Sequence, residues 1–266
     1  MTIKTNLNKT VKSYLIILGH LILGLTIIAS IQQLKLPTWL SASVLILLAF
    51  VFLNLTHFYF FRLKNEIGEF WSTRKITYLP IGIIGGGLIA ISPTILGLIT
   101  GQLSTSDISF NTDLSVSSIG LTLVIIAWEE LWFRGIFLNY CNRHLSAINL
   151  SLTIGLLFMF VHILNPKIDL FKTGATLFFA GALLTILYFY FKTIWLPIGL
   201  HFGNNYLNSI IDTKFKTDTL FGEEGYIGTI ILAGLFLFFI KMTIDKNKSG
   251  DQQPLIKRGD TEKPNE

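Results

Sequence analysis

The chain has 266 residues, of which 51% are hydrophobic, 13% aromatic and only 14% charged. A soluble domain carries about a quarter charged residues, so a mean hydropathy of +0.60 with long apolar runs excludes that class and describes a polytopic membrane protein. The net charge of +5 does not point to nucleic acid, because most Lys and Arg sit in short loops and tails, where the positive-inside bias places them. The one cysteine, Cys141, excludes an intrachain disulfide and a multi-cysteine metal site.

In chain order, Lys4, Lys9 and Lys12 precede an apolar run. That run is too long for a signal peptide, lacks an A-x-A-like cleavage site and is followed by further spans, so it reads as the first transmembrane helix. A spanning helix needs about 20 apolar residues. Eight segments meet that pattern, roughly Tyr14–Ile31, Trp39–Phe61, Tyr78–Thr100, Val116–Leu138, Ser146–Asn165, Phe171–Phe191, Ile194–Ile211 and Tyr226–Ile244. The predicted fold class is therefore all-α, a bundle of about eight transmembrane helices. With the N-terminus inside, the inner segments hold fifteen of the 21 Lys and Arg and the outer loops five, with Arg134 inside a span. This asymmetry predicts that both termini are cytoplasmic. Residues 1–245 read as one membrane domain, and the polar, Pro- and Gly-containing segment 246–266 as a disordered tail. No repeat or second globular domain is visible.

The stretch AWEELWFRGIF, Ala127–Phe137, places Glu129, Glu130 and Arg134 inside an otherwise apolar span. Each ionised group there costs about 2.5–3.5 kcal/mol on insertion scales, so all three need partners or a purpose. Glu130 and Arg134 are four residues apart and share a helix face, so they can pair. Glu129 points about 100° away and must look across to another helix. His162 lies on the fifth span in FMFVH, sharing a face with Phe158. His201 and Asn205 share a face of the seventh, in LPIGLHFGNNYLNSII. His20 and His57, in or near the first two spans, read as packing residues at even odds or better. Asn204 and Asn208 read as helix–helix hydrogen-bonding groups.

A Glu–Arg pair alone is more often structural than catalytic. An unpaired Glu beside it, with two His on other spans, supplies the parts of a hydrolytic site. Burial makes a carboxylate a workable general base near neutral pH. A histidine opposite could hold the same water. A second histidine with an amide one turn away could stabilise a developing oxyanion. No Ser or Cys has an evident base beside it, which disfavours a covalent mechanism.

The three motifs, EExxxR in Glu129–Arg134, FxxxH in Phe158–His162 and HxxxN in His201–Asn205, come in the order seen in the CPBP family (CAAX proteases and bacteriocin-processing proteins, also called Abi), which includes the Ras-converting CAAX endopeptidase. The resemblance covers about residues 119–207. It implies an intramembrane endopeptidase in which Glu129 is the general base, His162 helps it hold the water, and His201 with Asn205 forms the oxyanion hole. Glu130 and Arg134 are then a supporting pair. The substrate it implies is a peptide or a lipidated protein in the bilayer, with bacteriocin self-immunity or peptide maturation as the associated roles in bacteria. The composition, rich in Ile, Lys and Asn, suits an AT-rich bacterial genome, and the expected location is then a bacterial plasma membrane.

No cofactor is favoured. Zinc held by Glu129, His162 and His201 is the alternative, disfavoured because no HExxH is present and adjacent glutamates on one helix cannot both face one ion. Two non-protease readings stand beside the enzyme, a membrane scaffold or immunity protein of the same fold, and a proton-relaying transporter. The last lacks an inverted repeat. The sequence is silent on oligomeric state.

Overall fold

The computed structural model describes residues 75–111, 116–138, 146–162, 169–213 and 226–248, with isolated positions between 19 and 51. The first two predicted spans fall largely outside the described residues, as do His20, His57, Cys141 and the tail from residue 249. Six helices follow one another. They are α1 (Tyr78–Ile99), α2 (Val116–Glu130), which continues into a π-helical segment (Leu131–Phe137), α3 (Ala147–Val161), α4 (Leu170–Phe191), α5 (Trp195–Ile210) and α6 (Tyr226–Lys248). They coincide with the third to eighth predicted spans, with ends displaced by at most four residues.

Of these, α1, α4 and α6 are long and apolar enough to cross a membrane. Their outward residues, among them Ile84, Leu88, Ile230 and Leu237, are exposed apolar side chains, as lipid contact requires. The 15 residues of α3 and 16 of α5 extend only about 22 and 24 Å at 1.5 Å per residue, less than the ~30 Å hydrocarbon layer. The described part of the predicted fifth span ends at the cap, His162, and its last residues, 163–165, lie outside the described residues.

The sequence reading contains no strand, yet a small antiparallel ribbon is present. Strand β1 (Ile108–Phe110) pairs with β2 (Ile211–Thr213), setting Ile108 opposite Thr213, Ser109 opposite Asp212 and Phe110 opposite Ile211. Three-residue strands beside long helices have too few residues for a period-2 pattern to register. The approach to β1 is fixed by buried Leu103 and by Asp107, whose Oδ2 accepts from the Ser104 backbone N–H at 2.8 Å and its hydroxyl at 2.7 Å.

At the opposite end, Lys75 Nζ donates to the Lys192 carbonyl at 2.8 Å, closing the C-terminus of α4. Lys246 lies over the Tyr190 ring at 4.9 Å. Lys75, Lys192 and Lys246 belong to segments that the charge count assigned to the inner side, and the ribbon joins two segments assigned to the outer side.

The closest helix contact is between α1 and α5. Gly82 and Gly86 of α1 face Gly199 and Gly203 of α5, the small-xxx-small pattern that lets membrane helices approach backbone to backbone. A Cβ at Gly86 would lie 2.0 Å from the Leu200 carbonyl oxygen, and one at Gly203 would lie 2.1 Å from that of Ile83. This contact sets the position of α5, and with it His201 and Asn205. Gly86→Ala or Gly203→Ala should lower the melting temperature in detergent by the equivalent of at least about 1–3 kcal/mol, the usual cost of overpacking. Gly234→Ala, with nothing within 4 Å of its Cβ, should leave it unchanged.

Candidate active site

The site begins where α2 passes into the π-helical segment. Such segments are rare and often mark functional positions. Trp128, Leu131 and Trp132 bury themselves against Ile194, Ile198 and Phe202 at the start and middle of α5. Phe133 and Leu138 pack on Leu150, Ile154 and Phe158 of α3 and Phe189 of α4. Between these two apolar faces, Glu130 and Arg134 are carried inside, both fully buried, with Arg134 Nη1 donating to Glu130 Oε1 at 3.0 Å.

Arg134 is further held by the backbone of α4. Its Nη2 donates to the Gly181 carbonyl at 2.7 Å, and its guanidinium lies 5.6 Å from the centroids of both Phe133 and Phe158, within cation–π range. Gly181 has no side chain for a reason. A Cβ there would stand 2.7 Å from that of Phe158.

His201, on α5, is buried and lies between the two carboxylates. Its Nδ1 is 2.9 Å from Glu130 Oε1, the same oxygen that accepts from Arg134. An ionised carboxylate only accepts, so Nδ1 carries the proton in this bond. The other nitrogen, Nε2, is 3.9 Å from Glu129 Oε2, an electrostatic contact rather than a hydrogen bond. Glu129 finds its partner across the helix interface, as its orientation on α2 predicted. The structure adds that Glu130 reaches the same histidine.

His162 is the C-cap of α3. Its Nδ1 is 2.7 Å from the Phe158 carbonyl oxygen. A carbonyl only accepts, so Nδ1 is the donor, and the neutral ring presents an unprotonated Nε2. The Phe158 ring stands beside both imidazoles, 4.6 Å from His162 and 5.7 Å from His201 between centroids. It is the residue through which α2, α3 and α5 register.

A cavity of about 160 Å³ is walled by His162, His201, Asn204, Asn205 and Asn208, with Phe158 at its side. Glu129 is not part of this wall. Its carboxylate, 24% exposed, reaches the cavity by way of His201. Asn204 and Asn208 depart from the helix-packing role expected of them. Both face the cavity, and Asn204 Nδ2 donates to Asn205 Oδ1 at 3.4 Å within α5. Helical spacing held the signal, since Asn204, Asn205 and Asn208 are three, four and seven residues from His201 and so share its face. No such signal exists for the Gly181 carbonyl, a backbone atom.

Among the described residues, no three His, Cys, Asp or Glu side chains gather in a group that could hold a metal ion. The Nδ1 atoms of both histidines are engaged, by Glu130 and by the Phe158 carbonyl.

Fold and site together define a class, a helical membrane protein with an acid–imidazole cluster against a cavity lined by both polar and apolar side chains. Residues 111–207 match the family described as Rce1-like, type II CAAX prenyl endopeptidase Rce1-like, the family that the three motifs resemble. The matched segment includes α2, the π-helical segment, α3, α4 and α5 through Leu207, and thus every residue of the three motifs. No curated protein and no solved structure matches the chain.

Glu130→Ala should strand the buried Arg134 and destabilise the chain by about 3–5 kcal/mol, read as lost monodisperse protein in detergent. The double change Glu130→Leu with Arg134→Met should recover folded protein, since an apolar pair of similar volume replaces a buried ion pair at little cost. It should not recover function, because His201 loses its Nδ1 acceptor.

Proposed function

We propose that the chain is an endopeptidase that hydrolyses a peptide bond of a membrane-associated protein or peptide, using water activated by Glu129 and no metal. The observation that carries this reading is His201. It is clamped at Nδ1 by Glu130, approached at Nε2 by Glu129, and forms part of the wall of a cavity that His162 and Asn205 also line.

The step needs four groups. Glu129 takes a proton from a water whose other hydrogen is accepted by His162 Nε2. The hydroxide attacks the scissile carbonyl carbon, and the oxyanion that forms accepts hydrogen bonds from His201 Nε2–H and the Asn205 amide. The C–N bond then breaks, and Glu129 returns its proton to the departing amine, leaving a carboxylic acid and an amine as products. Donation from His201 Nε2 requires the doubly protonated ring, because Nδ1–H is already committed to Glu130. Glu129 and Glu130 as carboxylates, with Arg134 and the imidazolium, make a set of four with no net charge. This balance suits an apolar bundle.

Glu130 is taken up by Arg134 and His201 Nδ1, whereas Glu129 has no ion-pair partner on its own helix and approaches His201 Nε2, which favours Glu129 as the reactive carboxylate, with Glu130 and Arg134 setting the orientation of His201. The substrate enters the cavity as an unfolded segment, since the space admits no folded domain. Bacteriocin self-immunity and peptide maturation are the physiological settings that this chemistry fits. A scaffold or immunity protein that never cleaves is the competing reading.

Glu129→Gln, purified and reconstituted in liposomes, should cut quenched-fluorescence peptides with kcat lowered about a hundred- to ten-thousandfold and keep the wild-type melting temperature. Asn205→Ala should lower kcat about a hundred- to thousandfold. Excess chelator should leave the wild-type rate unchanged. An unimpaired Glu129→Gln chain would overturn the assignment of the base, and loss of activity with chelator, restored by zinc, would overturn the metal-free step.

A further inference from the structure

We infer that the second half of α5 and the β1–β2 ribbon form a track for an extended substrate chain, ending in an apolar lip at Phe110. This rests on the peptidase reading and names how that site selects its peptide.

The cavity does not stop at the histidines. Along α5 its wall continues from His201 through Asn204, Asn205 and Asn208 to Ile211 and Thr213 of β2. Side-chain amides both donate and accept, so the three asparagines match the alternating N–H and C=O groups of a peptide without regard to its side chains. The cavity is also lined by apolar residues, among them Pro93 of α1, Leu183 and Leu184 of α4 and Leu232 of α6, and it ends at the ribbon. Ile211 and Thr213 alternate with Asp212, so they lie on one face of the strand and that face borders the cavity. Cross-strand partners share a face, which places Ile108 and Phe110, opposite Thr213 and Ile211, on the same side.

Phe110 is 65% exposed there, next to Ile211 at the cavity rim. It is also well fixed. The Asn111 N–H donates to the Ile210 carbonyl at 2.8 Å just past it, and the capped Ser104–Asp107 turn holds the approach to β1. An exposed aromatic side chain opposite Ile211, on a ribbon whose backbone is pinned on both sides, is suited to one occupant, an apolar side chain of the peptide that lies in the track. From His201 to Ile211 the helix rises about 15 Å, which an extended chain covers in about four to five residues. The selected side chain therefore lies about four to five residues from the scissile bond.

The test uses the full chain in liposomes with a positional-scanning library of quenched-fluorescence nonapeptides. The wild type should favour a bulky apolar residue about four to five positions from the cut. Phe110→Ser should raise KM for those peptides about tenfold or more, leave kcat unchanged and flatten the preference. An unchanged preference and KM in Phe110→Ser would overturn the proposal. Binding is read independently of cleavage by placing photoreactive benzoylphenylalanine at Phe110 in the Glu129→Gln chain and irradiating it with biotinylated nonapeptides carrying leucine. Labelling of peptide well above that from the same group at Phe171, an exposed position on α4, supports the track. Labelling of lipid alone identifies the ribbon as a membrane anchor and overturns it. Peptide capture without cleavage by the wild type would leave the track standing and defeat the peptidase reading instead.

Discussion

One oxygen, Oε1 of Glu130, accepts from both Arg134 Nη1 and His201 Nδ1, at 3.0 and 2.9 Å. The rest of the site depends on this shared acceptor. It ties the π-helical end of α2 to the middle of α5. Through Arg134 it also ties both to the Gly181 carbonyl of α4 and to the Phe158 ring of α3. A carboxylate buried with no solvent access is expensive, and here not every atom is satisfied. Among the described residues, Glu130 Oε2 and Arg134 Nε are buried without a hydrogen-bond partner. The cluster is thus a costly way to hold four helices together, since an apolar core would do so at less cost. Its distinct contribution is to fix which nitrogen of His201 points where.

Packing makes that orientation possible. The glycine contact between α1 and α5 brings His201 to its depth, and Gly155 and Gly181 do the same for Phe158 by letting α3 approach α4. His162 lies at the end of α3 and, with the asparagines of α5, on a cavity wall. Polar side chains in a membrane are tolerated where they face a cavity or one another.

Much of this was legible in the sequence. The apolar runs gave six helices to within four residues, because length and hydropathy decide membrane helices with little help from tertiary context. Helical spacing paired Glu130 with Arg134 and left Glu129 facing another helix. The same rule, applied to Asn204 and Asn208, places them on the face of His201. They were read as packing groups because asparagine on a span more often serves that role. The small-xxx-small glycines of α1 and α5 were equally open to inspection. The π-helical segment, the Gly181 acceptor and the ribbon were not, since each depends on backbone geometry or on pairing between segments about 100 residues apart. The sequence also could not show that Glu130 reaches His201 as well as Arg134, because that contact crosses between helices.

The account's central claim is that Glu130 fixes the proton on His201 Nδ1. Nitrogen-15 NMR of histidine-labelled chain in bilayers, with the His201 signals assigned by their loss in His201→Gln, reads that proton directly. The account expects a protonated, strongly hydrogen-bonded Nδ1, with the signal altered when Glu130 and Arg134 are replaced together by Leu and Met. A His201 ring protonated on Nε2 alone, or one indifferent to that replacement, would contradict it.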